Sequence, residues 1–193
     1  MKIHILFGMI GFILLSGCNR AAEKNPRFYD AGVSRELAGH RKAQIKNLKY
    51  ELSFNIPRQK EVAIEGDITL RFDLASRQEV LIDFREEREK IKEVIANGVP
   101  VDKVRFENEH IILPASSTVE GANGIRIRFT AGNQSLNRND EYLYTLLVPD
   151  RARTVFPCFE QPNLKAEFTL QLELPPDWKA VSNTYIRSET VTD

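Results

Sequence analysis

The stretch 47–74, "NLKYELSFNIPRQKEVAIEGDITLRFDL", alternates apolar and polar residues over most of its length. Leu48, Tyr50, Leu52, Phe54 and Ile56 form one apolar set, with Lys49, Glu51, Ser53 and Asn55 between them. Side chains of an extended chain point to opposite faces in turn, so the pattern predicts a strand with one face on a core. After a polar turn at 57–61, Ile64, Ile68, Leu70, Phe72 and Leu74 repeat it. Two long amphipathic strands joined by a short turn predict an antiparallel pair.

Working outward, further strand-like runs lie at 80–84, 91–96, 104–106, 110–113, 125–130 and 142–148. Asn97-Gly98 is a type I′ hairpin signal, and 107–109 reads as a second tight connection. Many short strands separated by turns predict an all-β, antiparallel β-sandwich. The exception is "SRELAGHRKAQI" at 34–45, one short N-terminal helix with Ser34 as N-cap and Gly39 weakening its middle. "REEREK" at 85–90 mixes both signs of charge and predicts a solvated turn.

At 193 residues the chain is about one domain long. Lys plus Arg and Asp plus Glu each total 27, so the net charge is zero and nothing favours nucleic acid as a partner. A content of 42% hydrophobic and 28% charged residues fits a globular domain.

Residues 1–17 stand apart. Lys2 precedes an apolar run too short to span a bilayer comfortably, which reads as a signal peptide. It ends in "LLSGC", which resembles the lipobox of bacterial lipoproteins. That resemblance implies cleavage before Cys18, lipid on its thiol and a tether over 18–33 ahead of the domain at 34–193. Asn19 follows Cys18, which under the Gram-negative sorting rule implies the outer rather than the inner membrane. A plain signal peptide with an incidental cysteine is the alternative. With Cys18 acylated, Cys158 is left without a mate, and its neighbours Phe156 and Phe159 predict burial.

Catalytic patterns are scarce. His4, His40 and His110 have no metal-binding spacing, and the sequence contains no H-E-x-x-H, C-x-x-C, G-x-S-x-G or glycine-rich phosphate loop. His110 on a strand is expected to be structural or solvent-facing. Asp140, Glu141, Asp150 and Glu160 gather near the late loops, where capping and pairing with Arg151 and Arg153 are the expected roles.

One segment carries more. Residues 149–183, "PDRARTVFPCFEQPNLKAEFTLQLELPPDWKAVSN", begin as a proline-bracketed loop and end as an alternating strand whose apolar set is Ala166, Phe168, Leu170, Leu172 and Leu174. The segment closely resembles the signature P-x-x-A-R-x-x-F-P-C-F-D-[EQ]-P-x-x-K-A-x-F, followed by S-N, of the N-terminal domain of the aminopeptidase N family of zinc metallopeptidases. Matching positions are Pro149, Ala152, Arg153, Phe156, Pro157, Cys158, Phe159, Gln161, Pro162, Lys165, Ala166, Phe168, Ser182 and Asn183, with Glu160 where aspartate is usual. Gly66 inside the second strand agrees with the family's opening pair.

The resemblance implies a saddle-like β-sandwich, completed by strands beyond residue 193, that packs on a catalytic domain and caps its cleft. It implies a membrane-anchored zinc aminopeptidase acting on peptides, of which this chain would be a non-catalytic portion. The family's zinc ligands lie downstream, so zinc belongs to the full-length protein and no cofactor to this chain. Ten residues before Cys158, family members usually carry an acidic residue that helps hold the substrate's amine. Here that position is Val148, which cannot pair with an ammonium ion. For the motif residues themselves the chemistry predicts architecture: prolines fix the loop, aromatics fill the core and the cysteine packs as a small hydrophobe. A stand-alone binding or scaffold lipoprotein is the rival reading.

Overall fold

The computed structural model describes residues 25–102 and 104–191. The signal peptide expected at 1–17 and the lipid site expected at Cys18 lie outside the described residues.

A 3-10 turn at Pro26–Tyr29 leads to helix α1, Arg35–Gln44. Ser34 is its N-cap, with Oγ accepting the Leu37 amide at 3.1 Å. The strands are β1 (Ile45–Asn55), β2 (Glu65–Leu74), β3 (Val80–Asp83), β4 (Ile91–Ala96), β5 (Val99–Pro100), β6 (Arg105–Glu107), β7 (His110–Leu113), β8 (Gly121–Thr130), β9 (Leu136–Arg138), β10 (Leu143–Thr145) and β11 (Glu167–Glu173). They make a six-stranded sheet in the order β11-β1-β2-β8-β4-β5, a three-stranded sheet β3-β7-β6, and a β9–β10 ribbon.

The expected alternation sets the inner face. Leu48, Tyr50 and Leu52 of β1, Ile68, Leu70 and Phe72 of β2, and Ile125, Ile127 and Phe129 of β8 are buried in one core with Val80, Ile82, Ile111 and Leu113 of the smaller sheet. The outer face carries ion pairs such as Glu51–Arg71 and Asp67–Arg126, exposed pairs that each add little stability. Every residue of β3 and β7 is buried, because the three-stranded sheet is covered on both sides. Its second face meets Leu37 of α1, with Leu81 and Ile112 completing a small cluster and Phe28 and Tyr29 packed against it. Residues 26–33 are therefore seated on the domain rather than hanging as a free tether.

Both tight turns are as expected. Asn97 (φ 53°) and Gly98 (φ 82°) join β4 to β5, and Asn108 (φ 48°) and Glu109 (φ 70°) join β6 to β7. Gly66 lies under the Phe129 ring: a Cβ there would stand 2.4 Å from Cζ, so only glycine admits that ring.

Three expectations need correction. β11 pairs with β1 in parallel, not antiparallel, with Tyr50 beside Phe168 and Leu52 beside Leu170. It forms the sheet edge, and its apolar face is only partly covered: Phe168 is 54% and Leu170 45% exposed. The run at 142–148 is a strand only over Leu143–Thr145. Within the charge run at 85–90, Glu86 is largely enclosed and pairs with Lys90 at 2.6 Å, so this turn is partly packed rather than fully solvated.

Candidate functional site

The proline-bracketed loop is a clasp between the layers. After a 3-10 turn at Ala152–Thr154, Phe156 and Phe159 enter the core, where burial of each ring contributes about 1.5–3 kcal/mol. Phe159 meets Phe72 edge-on at 5.6 Å, and Phe156 meets Phe54 at 6.3 Å. Between them, Cys158 pairs with the free edge of β3: the Asp83 amide donates to the Cys158 carbonyl at 2.8 Å and the Cys158 amide to the Asp83 carbonyl at 3.0 Å. The loop thus finishes an edge that would otherwise leave backbone groups unpaired. Pro157 is buried with them.

Charged groups of the loop are held with comparable care. Arg153 donates from Nη1 to Glu109 Oε2 at 2.7 Å and from Nη2 to Asp150 Oδ2 at 3.1 Å. Its own amide donates to Glu160 Oε2 at 2.7 Å. Burial pushes the Glu160 carboxyl up, and the nearby Asp83 adds to that, against the pull of the Arg153 amide. The Glu160 amide donates to Asp83 Oδ2 at 2.8 Å. Gln161 reaches helix α1, donating from Nε2 to the Ala38 carbonyl at 3.1 Å.

Asp83 is the centre of this arrangement and wholly buried. Arg41 grips it with two bonds, Nη1 to Oδ2 at 2.8 Å and Nη2 to Oδ1 at 2.6 Å, and stands over the Phe159 ring at 5.2 Å. His110 Nδ1 lies 2.9 Å from Oδ1. Burial acts to raise the Asp83 carboxyl, but Arg41 and His110 outweigh it and hold the group below the usual carboxylate range. Burial likewise pushes the Cys158 thiol and the Tyr50 phenol well up, and the Tyr50 oxygen accepts the Phe159 amide at 2.9 Å. These are marks of a locked scaffold, not of a nucleophile. An inert thiol and a doubly gripped carboxylate have no open side for a substrate.

Of the expected residues, Arg153, Phe156, Pro157, Cys158, Phe159, Glu160 and Gln161 gather in this clasp, whereas Pro162 and Lys165 are exposed on its rim. Sequence reasoning missed Asp83 and Arg41. Asp83 ends an otherwise apolar β-run, "VLID", which is the one signal that could have marked it. His110 is structural, as expected, and fully buried.

Val148 lies elsewhere. It is 78% exposed and ends a row with Tyr142, Tyr144 and Leu146, all exposed, while the alternate Leu143 and Leu147 pack on the core. The two tyrosine rings stack at 6.1 Å. Among the described residues, no three His, Cys, Asp or Glu side chains are placed to hold a metal ion. No described helix is long and apolar enough to cross a membrane.

Comparison with known proteins gives a consistent family. Aminopeptidase N of Streptomyces lividans is 32% identical over 166 residues, 79% of this chain and 19% of that protein. Leucine aminopeptidase 2 of Candida glabrata is 25% identical over 71% of this chain and 23% of its own length. The chain therefore spans about a fifth of these relatives. An M1 zinc metallopeptidase from Deinococcus radiodurans superposes with a TM-score of 0.55 at 18% identity, covering 67% of this chain and 32% of that one. The native leukotriene A4 hydrolase of Saccharomyces cerevisiae gives 0.55 at 17% identity, covering 79% and 26%. At those identities the structural likeness concerns the fold. The sequence matches the Peptidase M1 N-terminal domain over residues 46–193, most of its length, and the chain belongs to that family.

Proposed function

We propose that this chain works as the non-catalytic N-terminal domain of a membrane-anchored zinc aminopeptidase, packing on the catalytic domain and capping its cleft. The observation that carries this reading beyond family membership is the exposed row Tyr142, Tyr144, Leu146 and Val148. A segment that is apolar on both faces is characteristic of strands covered on both sides. Here one face rests on the core and the other is bare, which suits a wall against a neighbouring domain. The row runs directly into the clasp, whose buried charges and aromatics hold it in place. Zinc and the general base belong to the catalytic domain in this reading, and peptide substrates are met only at the shared cleft. At Val148 the wall offers a substrate amine no carboxylate, so either the catalytic domain supplies the amine contact by itself or the parent enzyme accepts different substrates. The lipid on Cys18 would tether the whole to the outer membrane.

The test is made on native membranes with an antibody against this domain. The expected result is that it precipitates chelator-sensitive aminopeptidase activity together with a polypeptide containing H-E-x-x-H, either fused to the domain or bound to it. Recovery of the domain with neither would overturn the proposal in favour of a stand-alone binding lipoprotein.

A further inference from the structure

Helix α1 presents charge of one sign on its outer side. Leu37 and Arg41 turn inward, whereas Arg35, Gly39, Lys42 and Ala43 are exposed. At about 100° per residue those four fall in one arc opposite the buried pair. Only glycine and alanine separate the two cations, and a Cβ at Gly39 would meet nothing within 4 Å. Among the described residues neither Arg35 nor Lys42 has a carboxylate in ion-pair contact, and the helix's own acid, Glu36, is taken by Arg27 at 3.2 Å. Arg77 adds a third cation. It is exposed in the loop after β2, which is tied to the last turn of α1 by the Ala75 amide on the Gln44 carbonyl at 2.9 Å and Gln78 Nε2 on Gln44 Oε1 at 2.8 Å. Its Nε donates to the Ala115 carbonyl at 2.7 Å rather than to an acid. Lys46 stands opposite Asp73 across β1 and β2, which offsets its charge.

This side of the domain is also where the chain arrives from Cys18. Phe28 and Tyr29 pack against the cluster of Leu37, Leu81 and Ile112, so the segment before α1 is seated beside the helix. The seven residue steps from Cys18 to Asn25 reach at most about 25 Å fully extended, and Arg20 and Lys24 within them outnumber Glu23. A lipid on Cys18 therefore holds a membrane close to α1. β1 leads the other way, and its ten steps from Ile45 to Asn55 span about 33 Å. At that far end Arg138 holds the 57–62 loop, donating from Nη2 to the Gln59 carbonyl at 2.8 Å and from Nη1 to the Val62 carbonyl at 2.9 Å. The Lys60 amide donates to Asp140 Oδ1 at 3.1 Å, and the Asn139 amide to the Tyr142 carbonyl at 3.0 Å. Tyr142 thus stands at the end of the sheet remote from the helix.

We propose that the outer side of α1, with Arg35, Lys42 and the neighbouring Arg77, is a membrane-facing surface that binds the anionic phosphate headgroups of phospholipids. Gly39 and Ala43 let a headgroup come close to the helix between the two cations. The chain's net charge is zero, so the attraction is local, acts within about 8 Å at physiological salt, and orients the domain. Each cation strengthens binding roughly fivefold, which is small for a free domain and sufficient to set the posture of one already anchored. Seated this way, the domain turns Tyr142 and the start of the exposed row away from the bilayer. The direction from which the membrane comes rests on the proposed lipid anchor, whereas the cationic surface does not.

The test uses the intact chain on vesicles of phosphatidylcholine alone or mixed with phosphatidylglycerol, both with a nitroxide on some headgroups. A fluorophore is placed on Ala43→Cys or on Tyr144→Cys, Cys158 being buried. On mixed vesicles quenching should be several-fold stronger at 43 than at 144, and the contrast should vanish on phosphatidylcholine or at high salt. Arg35→Gln with Lys42→Gln should abolish the contrast while the chain still floats with the vesicles. Cys18→Ser separates surface from anchor: that chain should bind mixed vesicles only, and adding the two glutamines should weaken binding roughly tenfold or more. A lipid-free wild type that fails to float with phosphatidylcholine sinks the anchor, and the Cys18→Ser chain then decides the surface alone. Equal quenching on the two vesicle types, stronger quenching at 144, or a Cys18→Ser chain that binds mixed vesicles no better than neutral ones overturns the proposal.

Discussion

Arg153 of the clasp donates to Glu109 Oε2 at 2.7 Å, and Glu109 occupies a left-handed backbone position at φ 70°. The pair fastens the clasp to the β6–β7 turn at a residue whose own conformation is unfavourable for a side chain. Arg153→Ala leaves Glu109 with only the exposed Arg85 as partner and should destabilise the domain by roughly 2 kcal/mol. Glu109→Gly loses the same bond while relieving the turn, so its cost should be smaller by about 1 kcal/mol. Urea denaturation of the two variants checks the order, and equal losses would show the backbone at Glu109 to be unstrained.

Stability against pH should separate Asp83 from Glu160. The folded Asp83 carboxyl is held below its ordinary value, so its contribution is complete above the unfolded value of about 4 and is lost as pH falls through the folded value. Asp83→Asn should flatten the acid limb, and by stranding buried Arg41 it should cost about 3–5 kcal/mol at neutral pH. Glu160 is raised, so its contribution is present below the unfolded value of about 4.3 and fades as pH rises through the folded one. Glu160→Gln keeps an acceptor for the Arg153 amide and sheds a half-buried charge. At neutral pH it should be neutral or stabilising, and a loss beyond about 1 kcal/mol would contradict the burial argument.

Gly66→Ala drives a methyl group into the Phe129 ring, with no room before contact at 2.4 Å. Such overpacking typically costs about 1–3 kcal/mol. Phe129→Leu in the same chain should recover part of the loss, which thermal melts of the single and double variants would reveal as non-additivity.

Along the β11 edge, the half-bare Phe168 and Leu170 should bind a hydrophobic dye such as ANS. Leu170→Lys should lower dye binding and slow aggregation while leaving the melting temperature nearly unchanged. Phe168, packed on the Tyr50 ring at 4.7 Å, should be less forgiving. A wild-type chain that binds no dye and stays monomeric would show this edge to be sufficiently covered.

Membrane attachment should depend on Cys18. If the proposed anchor is correct, metabolic labelling with palmitate is found in the wild type and lost in Cys18→Ser, because the variant lacks the thiol that would carry the lipid. Labelling of the variant would place the anchor on another residue.

The strands were legible wherever one face meets core and the other meets water, as in β1 and β2, because period-two alternation records that asymmetry directly. β9 and β5 escaped notice: Leu136–Arg138 and Val99–Pro100 are too short to show a period. The parallel direction of β11 was hidden for a different reason, since alternation reports the face of a strand and not the sense of its neighbour. In the clasp, Phe156, Cys158 and Phe159 could be read as buried from their own chemistry. The Arg41–Asp83–His110 cluster could not, because its members come from α1, β3 and β7 and meet only in the folded chain.

The pairing of β1 with β11 also bears on the order in which the chain can fold. β2 follows β1 after a short turn, so one side of β1 is satisfied almost as soon as it is made. Its other side waits for Glu167–Glu173, the last strand among the described residues. Contacts between segments so far apart form late, since the entropy of closing the intervening loop is spent before any of them contributes. Throughout synthesis, then, Lys49 to Asn55 present an open hydrogen-bonding rail to whatever is near. Any holding factor that attends the nascent chain has its natural target there, and it can leave only when Glu167–Glu173 arrives.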